Sequence, residues 1–193
     1  IYALKAVPLD ILKLNTKRFL TWLLRIETHG LENFEKTGRK LIIIANHISY
    51  LDVPLLSVFI PRHVMFAIHT EVAKWKICQL VAPLTDTFPI DPSNPYAMKS
   101  LIEKVNAGKP CIIFPEGALS RTGRIMKIYE GAALVAEKTG AEIIAINIHG
   151  AKNTILTPHR KNFAKTCLLP KIKIRFSEPF TLPEKPEMNG KQK

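Results

Sequence analysis

Leu41-Ile42-Ile43-Ile44-Ala45-Asn46-His47-Ile48-Ser49-Tyr50-Leu51-Asp52 reads as a buried strand that empties into a polar loop and then into a helix. The run from Leu41 to Ala45 is too short for a helix and rich in β-branched side chains, which suit a pleated, buried ladder. Asp52 is a favourable N-cap, and Pro54 sits in the first turn of the apolar segment 53–60, where proline is tolerated. His47 and Asp52 are five residues apart; in one unbroken helix they would face different sides, since each residue turns about 100°. A turn between them would let the carboxylate reach back to one imidazole nitrogen and leave the other facing outward. A base with its orienter needs that geometry, but a capping Asp beside an unrelated loop His has the same spacing, so the spacing alone leaves both readings open.

Cys111-Ile112-Ile113-Phe114-Pro115-Glu116-Gly117-Ala118-Leu119-Ser120 is a second short apolar strand ending in a glycine-bearing loop. His, four residues, Asp, and then Phe-Pro-Glu-Gly with a nearby Ser, is an ordered pair of motifs that resembles the glycerophospholipid acyltransferases. The likeness continues through Asp91-Pro92-Ser93-Asn94-Pro95, Met126-Lys127-Ile128-Tyr129-Glu130-Gly131-Ala132 and Lys138-Thr139-Gly140-Ala141, and covers roughly residues 30–180. In those stretches the chain looks most like the acyltransferase half of the bifunctional bacterial 2-acylglycerophosphoethanolamine acyltransferase/acyl-carrier-protein synthetases.

The chain has 193 residues, 47% of them hydrophobic, which suits one domain with a sizeable core. The expected division is an N-terminal amphipathic segment over 1–29, the acyltransferase domain over 30–180, and a polar linker or tail over 181–193. Ile1 in place of Met and the polar run 183–193 suggest a domain within a longer protein, with a fused acyl-activating domain as the partner that the resemblance implies. The 28 Lys and Arg against 16 Asp and Glu give a formal charge of +12, which calls for an anionic partner. Zinc-finger spacing, an RNP-like aromatic motif and a basic-region heptad are all missing, so nucleic acid is not the expected one. Cys78, Cys111 and Cys167 have neither CxxC spacing nor an even count, which argues against a disulfide framework or a zinc knuckle and for a reducing compartment. Cys111 reads as a small buried hydrophobe. His63 and His69 fall on one expected strand without HExxH spacing, and His29, His149 and His159 read as surface or turn residues, so no metal site is expected.

Segment 8–26 is apolar but interrupted by Lys13, Lys17, Arg18 and Arg25, too many cations for a spanning helix. On a helical wheel Leu9, Leu12, Phe19, Leu20, Leu23 and Ile26 share one broad side. The four cations gather opposite, Trp22 borders the apolar face, and Leu14 and Leu24 are exceptions. That pattern fits a helix lying in anionic headgroups, and it equally fits a helix covering a core. No signal-peptide pattern is present.

Elsewhere strand and helix signals alternate. Strands are expected over 63–69, 142–149 and 171–176. Helices are expected over 96–107, with Asn94 as cap and Gly108 as stop, and over 128–138, ended by Gly140. The fold class is therefore α/β, with a central mostly parallel or mixed sheet flanked by helices and the N-terminal amphipathic segment added. The resemblance implies the glycerol-3-phosphate acyltransferase-like version of it. Both motifs fall at strand carboxyl ends, where open α/β sheets keep their sites.

Acyl transfer to an alcohol needs a group that removes the hydroxyl proton as attack proceeds, and imidazole is suited to that task near neutrality. His47 is the expected base and Asp52 its orienter. A Gly-x-Ser-x-Gly elbow is lacking, which disfavours an acyl-serine intermediate, and Ser49 is expected to bond the loop backbone. The resemblance places Glu116 and Gly117 at the glycerol-phosphate headgroup, with Ser120 in the same motif and Asn46 beside the base as further substrate-facing candidates. Glu116 could accept from a hydroxyl or orient a cation, but it cannot bind phosphate directly. Arg121, Arg124 and Lys127 supply nearby positive charge for a phosphate, or form a solvated basic loop.

Three departures from the wider family bear on the acceptor. Pro92 follows Ile90-Asp91, and Leu119 follows Ala118, at positions where relatives often carry arginine; Ala145 stands where a proline often follows two apolar residues. Fewer cations weaken capture of a phosphate monoester, which makes 2-acylglycerophosphoethanolamine the expected acceptor. The alternative is 1-acylglycerol-3-phosphate. The donor is expected to be an acyl-acyl carrier protein or acyl-CoA as co-substrate, with no bound cofactor, and the place the cytoplasmic face of the inner membrane, against its anionic surface. A non-catalytic lipid-binding module is the reading from another class, favoured if His47 and Asp52 lie apart.

Overall fold

The computed structural model describes residues 9–73, 85–91, 94–120, 122–154, 157 and 170–183. Among them the chain runs α1 (Leu9–Leu24), β1 (Glu27–His29), a 3-10 turn (Leu31–Lys36), β2 (Leu41–Ala45), α2 (Asp52–Phe59), β3 (Met65–His69), α3 (Thr70–Ala73), β4 (Asp86–Ile90), α4 (Pro95–Asn106), β5 (Cys111–Ile113), α5 (Gly131–Thr139), β6 (Glu142–His149), a second 3-10 turn (Ala151–Asn153) and β7 (Lys173–Phe176).

The strands form one sheet of order β1-β7-β6-β2-β5-β3-β4. Pairing is parallel everywhere except between β6 and β7, so β7 and β1 run against the other five strands and the sheet is mixed. β2 lies between β6 and β5, paired along Leu41↔Glu142 to Ala45↔Ile146 and Ile42↔Cys111 to Ile44↔Ile113. The chain leaves β2 through α2 toward β3 on one side, and leaves β5 through α5 toward β6 on the other. The crevice above β2 is thus the point where the strand order reverses.

Period-two alternation along β2 sorts the core into two layers. Leu41, Ile43 and Ala45 join Leu55, Leu56, Phe59, Phe66, Ile112 and Ile144 on the α1/α2 face, while Ile42 joins Leu101, Val105, Cys111, Val135 and Ile143 under α4 and α5. Both faces of β2 are covered, which is why its sequence is continuously apolar. Asn94 caps α4 by accepting from the Tyr96 N–H at 3.0 Å, as its position predicts. β7 follows the expected alternation, with Ile174 and Phe176 buried and Arg175 exposed.

Three expectations are corrected. α5 begins at Gly131 and not at 128, because the Met126 N–H donates to Glu116 Oε2 and the Tyr129 N–H to the Pro115 carbonyl; those bonds keep 125–129 out of the helix. The third strand starts at Met65, which leaves His63 in the preceding loop and off the strand that holds His69. α1 does not divide into one apolar and one cationic side. Leu20, Leu23 and Leu24 pack on the core, and Lys17 lies on that side, its Nζ 5.5 Å from the Phe59 ring centre. Ile11, Leu14, Phe19 and Trp22 form a second, outward apolar face on which Trp22 is 75% exposed. None of the described helices is long and apolar enough to cross a membrane.

Gly150, just after β6, holds φ at 93°, and a Cβ there would run into the Lys171 carbonyl oxygen. Gly150→Ala is expected to lose on the order of 1–3 kcal/mol. Urea unfolding of the purified variant, read as a lowered midpoint with unchanged slope, checks it; an unshifted midpoint would remove the close-packing argument.

Candidate active site

The loop that leaves β2 folds back on itself around one carboxylate oxygen. Asp52 Oδ2 accepts from the backbone N–H of Ile48 at 2.7 Å and of Ser49 at 2.9 Å, and it lies 3.1 Å from His47 Nδ1. An ionised carboxylate can only accept, so in a neutral imidazole this contact places the proton on Nδ1 and leaves the lone pair on Nε2. Asp52 is completely buried, whereas the His47 side chain is 18% exposed. Asp52 is the first helical residue, with Leu51 at the cap position, so the carboxylate caps the preceding loop and not the helix. Ser49 Oγ accepts from the Leu51 N–H at 3.2 Å and meets Thr154 Oγ1 at 3.2 Å, which ties the loop to the segment after β6.

The second motif holds the first. Glu116 Oε1 accepts the His47 backbone N–H at 3.1 Å, and the Ser120 N–H donates to the His47 carbonyl at 2.7 Å, so both backbone groups of the histidine are bound by the loop after β5. Phe114 stacks on the imidazole, with ring centres 4.1 Å apart and an interplanar angle of 21°. The other Glu116 oxygen, Oε2, takes the Met126 N–H at 3.0 Å. Glu116 is buried, and its two oxygens bridge the His47 loop to residues 124–129. Ser120 is buried as well: its Oγ donates to the Arg124 carbonyl at 2.7 Å and accepts from Gly123 N–H at 3.0 Å. Gly117 turns the chain at φ 65°, where a side chain is disfavoured. Asn46 spends both ends of its amide on Ile148, donating to the carbonyl at 3.0 Å and accepting from the N–H at 2.7 Å. The substrate-facing candidates Glu116, Ser120 and Asn46 are therefore committed to building the loops around His47, although Asn46 and Glu116 also border open space.

That space has two compartments. A polar one of about 160 Å³ is lined by Asn46, Glu116, Arg124, Asn147, His149 and Lys152 among others. A larger apolar groove of about 410 Å³ runs beside it over Ile44, Ala45, Ala145, Ile146 and Phe176, with Ile125 and Ile128 at its rim. Asn46 and Glu116 line both. Arg124 and Lys152 make no ion pair with a described carboxylate. Lys127 turns outward over the Tyr129 ring, 5.1 Å from its centre. Arg121 and Pro92 lie outside the described residues. Lys152 and His149, on the β6 side, are partners that motif reading does not reach, since they arrive only through the pairing of β6 with β2. Among the described residues no three His, Cys, Asp or Glu side chains are grouped to hold a metal ion. Burial pushes the Cys111 thiol up to about 12, so it stays protonated near neutrality and is no nucleophile.

Comparison with known proteins gives the family and the fold. Residues 25–149 match the family described as Acyltransferase. The chain is 32% identical over 133 residues to the chloroplastic 1-acyl-sn-glycerol-3-phosphate acyltransferase LPAT1 of Arabidopsis thaliana, covering 65% of this chain and 36% of that one. It is 30% identical over 107 residues to the 1-acyl-sn-glycerol-3-phosphate acyltransferase of Helicobacter pylori, covering 53% and 45%. The chain thus spans less than half the length of the curated relatives it matches. The crystal structure of the 1-acyl-sn-glycerophosphate acyltransferase PlsC from Thermotoga maritima superposes with a TM-score of 0.67 at 26% identity, over 90% of this chain and 68% of that one.

If Glu116 is a clamp on two backbone amides, Glu116→Ala should leave the domain folded but weaker by about 1–3 kcal/mol, the cost of two donors losing their acceptor. Hydrogen exchange at the amides of His47 and Met126 should accelerate together. Acceleration at neither position would remove the clamp.

Proposed function

The chain belongs to the acyltransferase family, and on that premise we propose that it moves a fatty acyl group from a thioester to the free hydroxyl of a lysophospholipid, with 1-acylglycerol-3-phosphate as the leading acceptor. The observation that carries the reading is His47, held through Nδ1 by a buried carboxylate and through its backbone by the β5 loop, beside a compartment with two cations that pair with no described carboxylate. His47 Nε2 takes the proton of the acceptor hydroxyl as its oxygen attacks the thioester carbonyl. Asp52 stabilises the resulting imidazolium, which returns the proton to the thiolate as the tetrahedral intermediate collapses. The acceptor phosphate lies between Arg124 and Lys152, and an acyl chain occupies the apolar groove. The donor is acyl-acyl carrier protein or acyl-CoA.

The activities of the relatives support the phosphate monoester as acceptor. A second reading, 2-acylglycerophosphoethanolamine, is favoured by Leu119, an apolar residue where relatives often carry arginine, and by the likeness to the bifunctional enzymes. The outward face of α1 lies against an anionic bilayer, the cytoplasmic face of the inner membrane, and an acyl-activating domain fused elsewhere in the full protein would feed the donor.

His47→Ala should lower turnover on the order of 10²-fold or more while the fold survives, and Asp52→Asn should also lose activity. Near-normal turnover by His47→Ala in a clean preparation would overturn the mechanism.

Competition between lysophosphatidic acid and lysophosphatidylethanolamine, with both donors supplied in turn, decides the acceptor. Lys152→Gln should cost on the order of tenfold or more in kcat/KM for a phosphate-bearing acceptor, the size expected for one charge-assisted contact. Preference for the ethanolamine lipid would promote the second reading.

A further inference from the structure

Residues 124–129 rim both compartments and also display an apolar surface that extends beyond them into solvent. Ile125, Ile128 and Tyr129 are 67%, 60% and 55% exposed, three large side chains within five positions. Their exposure follows from a backbone fixed from within. The Arg124 carbonyl is held by Ser120 Oγ, the Met126 N–H by Glu116, and the Tyr129 N–H by the Pro115 carbonyl, so the main chain is bound on its inner side and these side chains project away. Displaying them costs apolar surface left in water, which a soluble face avoids unless something covers it.

We infer that this loop is a membrane-contacting element at the mouth of the site, inserting Ile125, Ile128 and Tyr129 into the headgroup boundary of an anionic bilayer. The occupant follows from charge. Arg124 and Lys127 interleave with the apolar residues, no acidic residue stands between Ser120 and Tyr129, and the whole chain carries +12. Cations beside protruding apolar and aromatic side chains suit a phospholipid interface, where the ring sits at headgroup depth and the cations meet phosphate. The loop also rims both compartments, which places it between solvent and the space beside the His47 loop. The inference goes beyond the proposed chemistry, because vesicle binding does not depend on turnover, and it concerns a different element from α1.

The test is co-sedimentation of the full chain with vesicles of phosphatidylethanolamine and phosphatidylglycerol. The triple variant Ile125→Ser, Ile128→Ser, Tyr129→Ser should partition at least tenfold more weakly, with an unchanged thermal melt because the three side chains are exposed. Ile128→Asp alone should weaken binding in the same direction and guards against a folding artefact in the triple variant. Unchanged partitioning of both variants would overturn the proposal and leave α1 to carry any binding. A lipid-free dimer in sedimentation velocity, lost in the triple variant, would overturn it in favour of a second copy as the occupant.

Discussion

The constraint on which the site depends is that the backbone of one residue, His47, is held from another strand's loop. Its N–H goes to Glu116 and its carbonyl receives the Ser120 N–H, and these bonds cross from the end of β2 to the end of β5. A loop histidine on its own would sample many orientations. Here two backbone bonds, one side-chain bond to Asp52 and the Phe114 ring remove nearly all of them before substrate arrives. The entropy of ordering is met during folding and not at the moment of reaction.

The sheet makes that arrangement possible. β2, β5 and β6 are adjacent and parallel, so their carboxyl ends open on the same edge, and three loops that are far apart in sequence meet there. Asn46 extends the β2/β6 pairing by one residue with a side chain, using Ile148 as its partner, and so carries the order of the ladder up to His47. Burial of both faces of β2 fixes its register, because a one-residue slip would exchange the two core layers.

The polar groups of the second motif serve geometry more than recognition. Glu116 has both oxygens on backbone amides, and Ser120 spends its hydroxyl on the Gly123 and Arg124 backbone. Arg124 and Lys152 instead project from these loops into the polar compartment, with an apolar groove beside them. The same fixing leaves Ile125, Ile128 and Tyr129 in solvent.

Much of this was legible in the sequence, for a local reason. The strand at Leu41–Ala45, the helix at Asp52–Phe59, the cap at Asn94 and the His47/Asp52 pair are each specified by residues within a few positions of one another. Periodicity and capping chemistry read such short-range relations directly. The likeness of the two motifs supplied their order. The rest depends on contacts that only the closed sheet creates. Glu116 meets His47 across 69 positions of chain, Asn46 meets Ile148 across 102, and Ser49 meets Thr154 across 105. No local rule announces that a conspicuous glutamate will be consumed by two amides, or that residues 128–130 lose their helix to a bond with Pro115. Nor does a helical wheel show which face of α1 meets the core, since the wheel ranks side chains by polarity while the fold chooses by position, burying Leu24 and exposing Trp22. Sequence alone determined most of the elements and the approach of Asp52 to His47; tertiary structure decided which polar groups the loops consumed and which project into open space, because satisfying buried backbone groups takes precedence.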